Sequence, residues 1–193
     1  MKAASSDGLK HHFLLAMPRV DSGLFRGSIT YICEHGEAGA MGLVINQPMD
    51  LQLCEIFDHL DIDIGSMLKS DFASSPVLAG GPVQIDHGFV LHPDEGDRWD
   101  SSLRINKDVR LTTSQDILKA IATGSGPTDY VITLGYAGWS AGQLEAEIAD
   151  NSWLTLPADA QILFNTPVAQ RLEAAAATLG VDMNLLTAQA GHA

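Results

Sequence analysis

The sequence predicts an α+β fold built on a mixed, largely antiparallel sheet. Three observations carry that expectation. An early pair of β-rich runs, Ser28–Glu34 and Met41–Asn46, is separated by a short glycine-bearing connection. Capped, helix-periodic segments concentrate later in the chain, and strands and helices intermix without the regular alternation of a doubly wound sheet.

Taken in order, residues 1–12 read as a polar leader, and 13–193 as a single domain. Phe13–Ala16 is a short strand ended before Pro18. The two β-rich runs form a hairpin with residues 35–40 as its loop. After Pro48, Asp50 caps a helix whose apolar residues Leu53, Ile56, Phe57 and Leu60 fall at helical spacing. Residues 61–75 are irregular and acidic. Strands return at Val77–Leu78 and Gly88–His92, with shorter ones between Leu103 and Leu111. Thr113 and Asp116 form a capping box for a helix through Ile117, Leu118 and Ile121, which Gly124 ends. The continuous apolar run Tyr130–Leu134 is a strand covered on both faces. Ser140 and Gln143 form a second capping box. Ile162–Phe164 reads as a strand, and Thr166-Pro167 opens a helix stopped by Gly180. That helix buries Val168, Leu172, Ala175, Ala176 and Leu179, and residues 182–190 add a short final helix.

Composition narrows the functional classes. Hydrophobic residues make up 46% of the 193-residue chain, charged ones 18%, and the formal net charge is −13. A chain so acidic repels phosphate backbones, so direct nucleic-acid binding is not expected. No segment approaches the length of a membrane span, and two cysteines, Cys33 and Cys54, do not make a disulfide framework; both point to the cytoplasm.

Three constellations have chemical potential. In Tyr31-Ile32-Cys33-Glu34-His35, strand periodicity places Cys33 and His35 on one face, where an imidazolium lowers the thiol pKa. A buried structural cysteine is the plainer alternative. The second spans Gly135, Tyr136, Gly138, Trp139, Ser140, Gly142 and Gln143, read as a strand, a glycine-bearing loop and a helix start. Such a junction either binds a small anion through backbone N–H groups or is a tight turn with Trp139 plugging the core. The third joins Gly80 and Gly81 to His87, a sharp turn near a titratable group. His35, His59, His87 and His92 have no metal-site spacing. Glu145 and Glu147 read as solvated surface. No Walker A, dinucleotide or nucleophile-elbow motif is present, so no cofactor and no complete catalytic set is expected.

Several blocks together resemble the AlgH/YqgE family of bacterial proteins. They are Phe13-Leu14-Leu15-Ala16-Met17-Pro18, Tyr31–His35, Gly39–Pro48, Gly80-Gly81-Pro82-Val83, Gly88–His92, Leu134–Trp139, Ala141–Glu145 and the closing Gly191-His192-Ala193. Two positions depart from the family pattern: His87 replaces an arginine, and Leu172 replaces a tryptophan after Arg171. An anion-binding role for that arginine would pass to His87 only in its protonated form. The resemblance implies a bulged, coiled, mostly antiparallel sheet with several helices, in the bacterial cytosol. Members are often labelled transcriptional regulators, though this chain has no DNA-binding signature. The expectation is a non-enzymatic regulatory protein that binds a protein partner or a small anionic ligand, with a Cys33-based enzyme or redox sensor as one alternative and a transcriptional regulator acting on DNA directly, disfavoured by charge, as another.

Overall fold

An antiparallel sheet curls into a half-barrel whose two faces are both covered. The computed structural model describes residues 8–20, 23–64, 75–96 and 99–183. The proposed tail helix at 182–190 and most of the acidic stretch 61–75 fall outside them. Along the sheet the order runs β10 (Trp153–Pro157), β1 (His12–Ala16), β2 (Ile29–Gly36), β3 (Gly39–Val44), β9 (Val131–Ser140), β6 (Val83–Pro93), β8 (Val109–Thr112) and β7 (Ser102–Arg104). Two further strands, β4 (Pro48–Gln52) and β5 (Pro76–Ala79), pair with each other, and β5 joins β9 in parallel.

Alternation explains why β1 is apolar from Phe13 to Ala16. Phe13 and Leu15 enter the main core, with Tyr31, Leu43, Leu91, Leu163 and Ala175. Leu14 and Ala16 enter a second cluster on the opposite face, with Ile32, Trp139, Leu144 and Trp153. A strand buried on both faces has no polar side to show. A third cluster packs α1 (Leu53–His59) and α2 (Gln115–Ala122) onto Val77, Val90 and Ile132. The remaining α-helices among the described residues are α3 (Gln143–Ala149), set against β9 and β10, and α4 (Arg171–Thr178), whose Ala175 and Ala176 face the main core.

Several expected boundaries move. The hairpin of β2 and β3 closes on Glu37-Ala38 rather than on a six-residue loop, because Gly39 takes φ +125°. Gln52, not Asp50, caps α1: its side chain and that of Glu55 form a reciprocal capping box, while Asp50 lies in β4. Ser114 rather than Thr113 precedes α2; Asp116 accepts from the Ser114 hydroxyl and the Ile117 N–H. Residues 161–165, expected as a strand, form a π-helical turn that buries Ile162 and Leu163. From Thr166-Pro167 a single 3-10 turn, Val168–Gln170, leads into α4, which buries Arg171 and leaves Leu179 exposed. Gly180 does end it, with φ +69°. Ahead of β1, Leu9 and His11 already hydrogen-bond to β2, so packing begins within the proposed leader.

Candidate functional site

Two glycine motifs far apart in sequence meet backbone to backbone. Gly80, leaving β5, donates its N–H to Leu134 O at 2.8 Å, and its carbonyl accepts from Val44 N–H at 2.8 Å. A Cβ on Gly80 would lie 2.3 Å from Gly135 O, and one on Gly81 would lie 1.9 Å from the Tyr136 carbonyl carbon. Gly135 has φ +72°, and a side chain there would lie 2.4 Å from Gly81 O. Only glycine tolerates this approach. The Gly135 kink also switches which face alternate residues of β9 present: Ile132 and Leu134 face the α1–α2 cluster, whereas Ala137 and Trp139 face the tryptophan cluster.

The crossing supports an excursion in β6. Val83 pairs with Tyr136 and Gly88 with Leu134, so residues 84–87 loop out opposite Gly135. Gln84 adopts φ +48°, Ile85 is 67% exposed, and His87 Nδ1 sits 3.3 Å from Asp86 Oδ1 in solvent. Asp86 and His87 form one wall of a groove of about 540 Å³. Ile56 and His59 of α1 and the following Leu60 form another wall, with Ser114, Gln115 and Leu118 opposite, and Val90, Ile132 and Leu134 supply an apolar floor. The arrangement, apolar below and titratable at the rim, suits a ligand that buries carbon and orients through a few polar groups.

Comparison with known proteins agrees with this architecture. A family model described as AlgH-like (DUF179) matches residues 13–184. The chain belongs to the AlgH-like family. A UPF0301 protein from Thioalkalivibrio sulfidiphilus is 54% identical over 98% of this chain and 99% of its own length. One from Pseudomonas fluorescens is 54% identical over the full length of both. The solution structure of the AlgH protein from Pseudomonas aeruginosa superimposes with a TM-score of 0.78 at 52% identity, covering 100% of each chain. A Corynebacterium diphtheriae protein shares the fold at 18% identity, with a TM-score of 0.72 over 93% of this chain and 91% of its own. The AlgH-like match spans both the glycine crossing and the groove.

Within this AlgH-like chain the structure separates residues that sequence spacing grouped. Cys33 and His35 do not share a face. The pairing steps from Ile32↔Gly42 to Glu34↔Met41, so Cys33 is the extra residue of a β-bulge. Cys33 is fully buried in the main core, its Sγ 3.9 Å from Tyr31 O, and burial pushes its pKa up. His35 turns to the other face, where Nδ1 accepts from Leu9 N–H and Nε2 meets Glu145 Oε1 at 2.8 Å. A thiol held as S–H in the core, away from the imidazole, has neither the charge nor the access of a nucleophile.

The expected loop from Gly135 to Ser140 is strand. Residues 137–140 pair with β3, and Ser140 N–H and Oγ both donate to Gln143 Oε1. The carboxamide thus takes up the Ser140 N–H and hydroxyl, and Gly142, at φ +75°, precedes α3 directly. Trp139 is a core residue; Tyr136 and Gly138 line a shallow depression apart from the groove, beside Phe89 and Gln84. Gly80 and Gly81 are architectural, and His87 is the member of that set at the groove.

Glu147, expected as solvated surface, is half-buried and, like His92, proves to be a structural anchor. Glu147 accepts from the indoles of Trp139 and Trp153 and from Gln143 Nε2, which holds its carboxyl below the usual range despite partial burial. His92 is buried, with Nδ1 2.9 Å from Pro93 O and Nε2 2.8 Å from Thr112 Oγ1. The carbonyl can only accept, so Nδ1 carries the proton and Thr112 donates to Nε2. Among the described residues no group of three or more His, Cys, Asp or Glu side chains is gathered as a metal site. No helix among them is long and apolar enough to cross a membrane.

Proposed function

We propose that this AlgH-like chain is a non-enzymatic regulatory protein of the bacterial cytoplasm that binds an apolar segment of a protein partner in the groove between α1, α2 and the β6 excursion. The observation that carries this reading is the groove itself: an apolar floor of Val90, Ile132 and Leu134 beneath a rim of Glu55, His59, Asp86 and His87. Ile85, next in the chain to Asp86 and 67% exposed, adds apolar surface beside the groove's lining residues. The net charge of −13 favours a partner with a basic flank and disfavours nucleic acid. Two unbridged cysteines suit a reducing compartment. The regulator label therefore fits action through a protein better than action on DNA.

The test compares what the wild-type chain and Leu118→Gln and Ile85→Glu variants retain from the native bacterium, followed by reconstitution with the purified partner. Binding by the wild type, weakened at least tenfold by both variants at unchanged thermal stability, is the expected result. Equal binding by the variants, or no partner that reconstitutes, sinks the proposal.

A further inference from the structure

A second cavity, whose lining meets that of the groove at Ile132, holds a cation without a counter-ion. Arg171 opens α4 and is only 5% exposed. Its Nε donates to Thr166 O at 3.1 Å and its Nη1 to Ile45 O at 2.7 Å. The other guanidinium N–H groups have no acceptor, and no carboxylate pairs with Arg171, among the described residues. The two carbonyls neutralise nothing. Burial alone pushes the guanidinium pKa down to about 10, which still leaves it charged at neutral pH. Keeping an unpaired charge under cover is costly, and buried charges in folded proteins are ordinarily paired.

Arg171 lines an open cavity of about 690 Å³ between the start of β5, the start of β9 and the turns before α4. The wall carries apolar groups from Leu78, Ile132, Phe164 and Val168, and hydroxyls from Ser75 and Thr128. Asp129, the carboxylate among the lining residues described, is 3.3 Å from Asn165 Nδ2, which donates to it, and makes no ion pair with Arg171.

We infer that this cavity is a binding site for a small organic anion, whose carboxylate or phosphate pairs with Arg171 while its carbon skeleton lies against Leu78, Ile132 and Phe164. A planar guanidinium fork with unused donors matches two oxygens of either group. The apolar wall favours an organic acid over a bare inorganic ion. This site stands independently of the partner-binding groove, with which it shares only Ile132.

The test titrates the full chain with phenyl phosphate, benzoate, inorganic phosphate and uncharged phenol, followed by two-dimensional amide and arginine Nε–H NMR. Saturable shifts with phenyl phosphate or benzoate, centred on residues 128–132 and 164–171 and including Arg171 Nε–H, are expected, and whichever acid binds tighter assigns the group. Inorganic phosphate should bind at least tenfold more weakly, and phenol should leave Arg171 unmoved. Arg171→Lys should weaken binding at least tenfold. Ala169→Glu, at an exposed position of the same wall, should do likewise while the fold is kept, so a folding defect at Arg171 does not hide the answer. Phenol binding as well as the acids, unsaturable scattered shifts, or unchanged binding by Ala169→Glu overturns the proposal. Failure of partner binding at the groove leaves this outcome untouched, and the reverse also holds.

Discussion

Trp139 and Trp153 meet edge to face, with centroids 6.1 Å apart and planes at 81°, and both indole N–H groups donate to the same oxygen, Glu147 Oε2. One carboxylate on α3 thereby ties β9 to β10 across the second core cluster. Glu147→Ala should cost about 2–4 kcal/mol in denaturant unfolding, because it strands two half-buried indole donors. Glu147→Gln keeps one acceptor and should cost less than Ala. Glu147 titrates below its usual range in the folded chain. Its contribution is therefore present above the unfolded carboxylate pKa and is lost as pH falls through the lower folded value. A wild-type and Glu147→Ala pair whose stabilities fail to converge in acid would contradict this.

The glycine crossing allows a sharper prediction. Gly135→Ala forces a side chain into a left-handed φ and against Gly81 O, and Gly81→Ala collides with Tyr136 backbone. Each should destabilise by on the order of 3 kcal/mol or more. Gly138→Ala, whose Cβ would meet only the Tyr136 ring edge at 3.4 Å, is the mild control. Thermal melts of the three variants decide it.

Mild acid should weaken the fold before carboxylates matter. Burial lowers the pKa of His92 and of His11 below the ordinary value of 6.5. The unfolded chain then binds protons the folded one refuses, so stability should fall as pH drops below about 6.5 and level off under the folded values. Around His92, Arg110 also opposes protonation, while Pro93 O, Asp94 and Glu95 favour it. His92→Gln should flatten part of this slope, leaving the His11 portion. An unchanged slope between pH 7 and 5 would count against the assignment.

Thiol chemistry distinguishes the cysteines. Cys54 is half-buried and Cys33 is fully buried in the core. In the native state a thiol reagent should label Cys54 and reach Cys33 only on unfolding. Cys33→Ser should cost about 1–3 kcal/mol by placing a hydroxyl among apolar side chains.

Much of this fold was legible because burial writes itself into the sequence. The unbroken apolar run at Phe13–Ala16 announces a strand, that at Tyr130–Leu134 a strand covered on both faces, and the β2–β3 hairpin and Gly180 stop follow from local chemistry. What escaped depended on tertiary pairing. A bulge at Cys33 reverses the facing of His35, and no local signal distinguishes it from a regular strand. Residues 135–140 look like a glycine-bearing loop, yet they are strand because β3 supplies hydrogen bonds and Gly80-Gly81 requires the glycine at 135. Ile162–Phe164 is as apolar as a strand, but its packing against α4 selects a helical turn. Likewise Glu147, a polar residue on a helix, reads as surface until the indoles of two distant strands are seen against it. At the proposed groove, His87 was visible from its neighbours; the walls from α1 and α2 were not, since they converge only through the third core cluster.

The pairing of β1 with β10, in which His12 faces Pro157, also bears on how the chain is made. Strand β1 leaves the ribosome ahead of β10, and this neighbour that covers its outer edge is synthesised roughly 7–30 s later at about 5–20 residues per second. During that interval Leu14 and Ala16 lack Trp153 against them, and the edge of β1 is open to any other nascent strand. A chain halted before residue 153 would keep that sticky edge permanently, so premature termination should yield aggregates or chaperone clients rather than a smaller functional fragment.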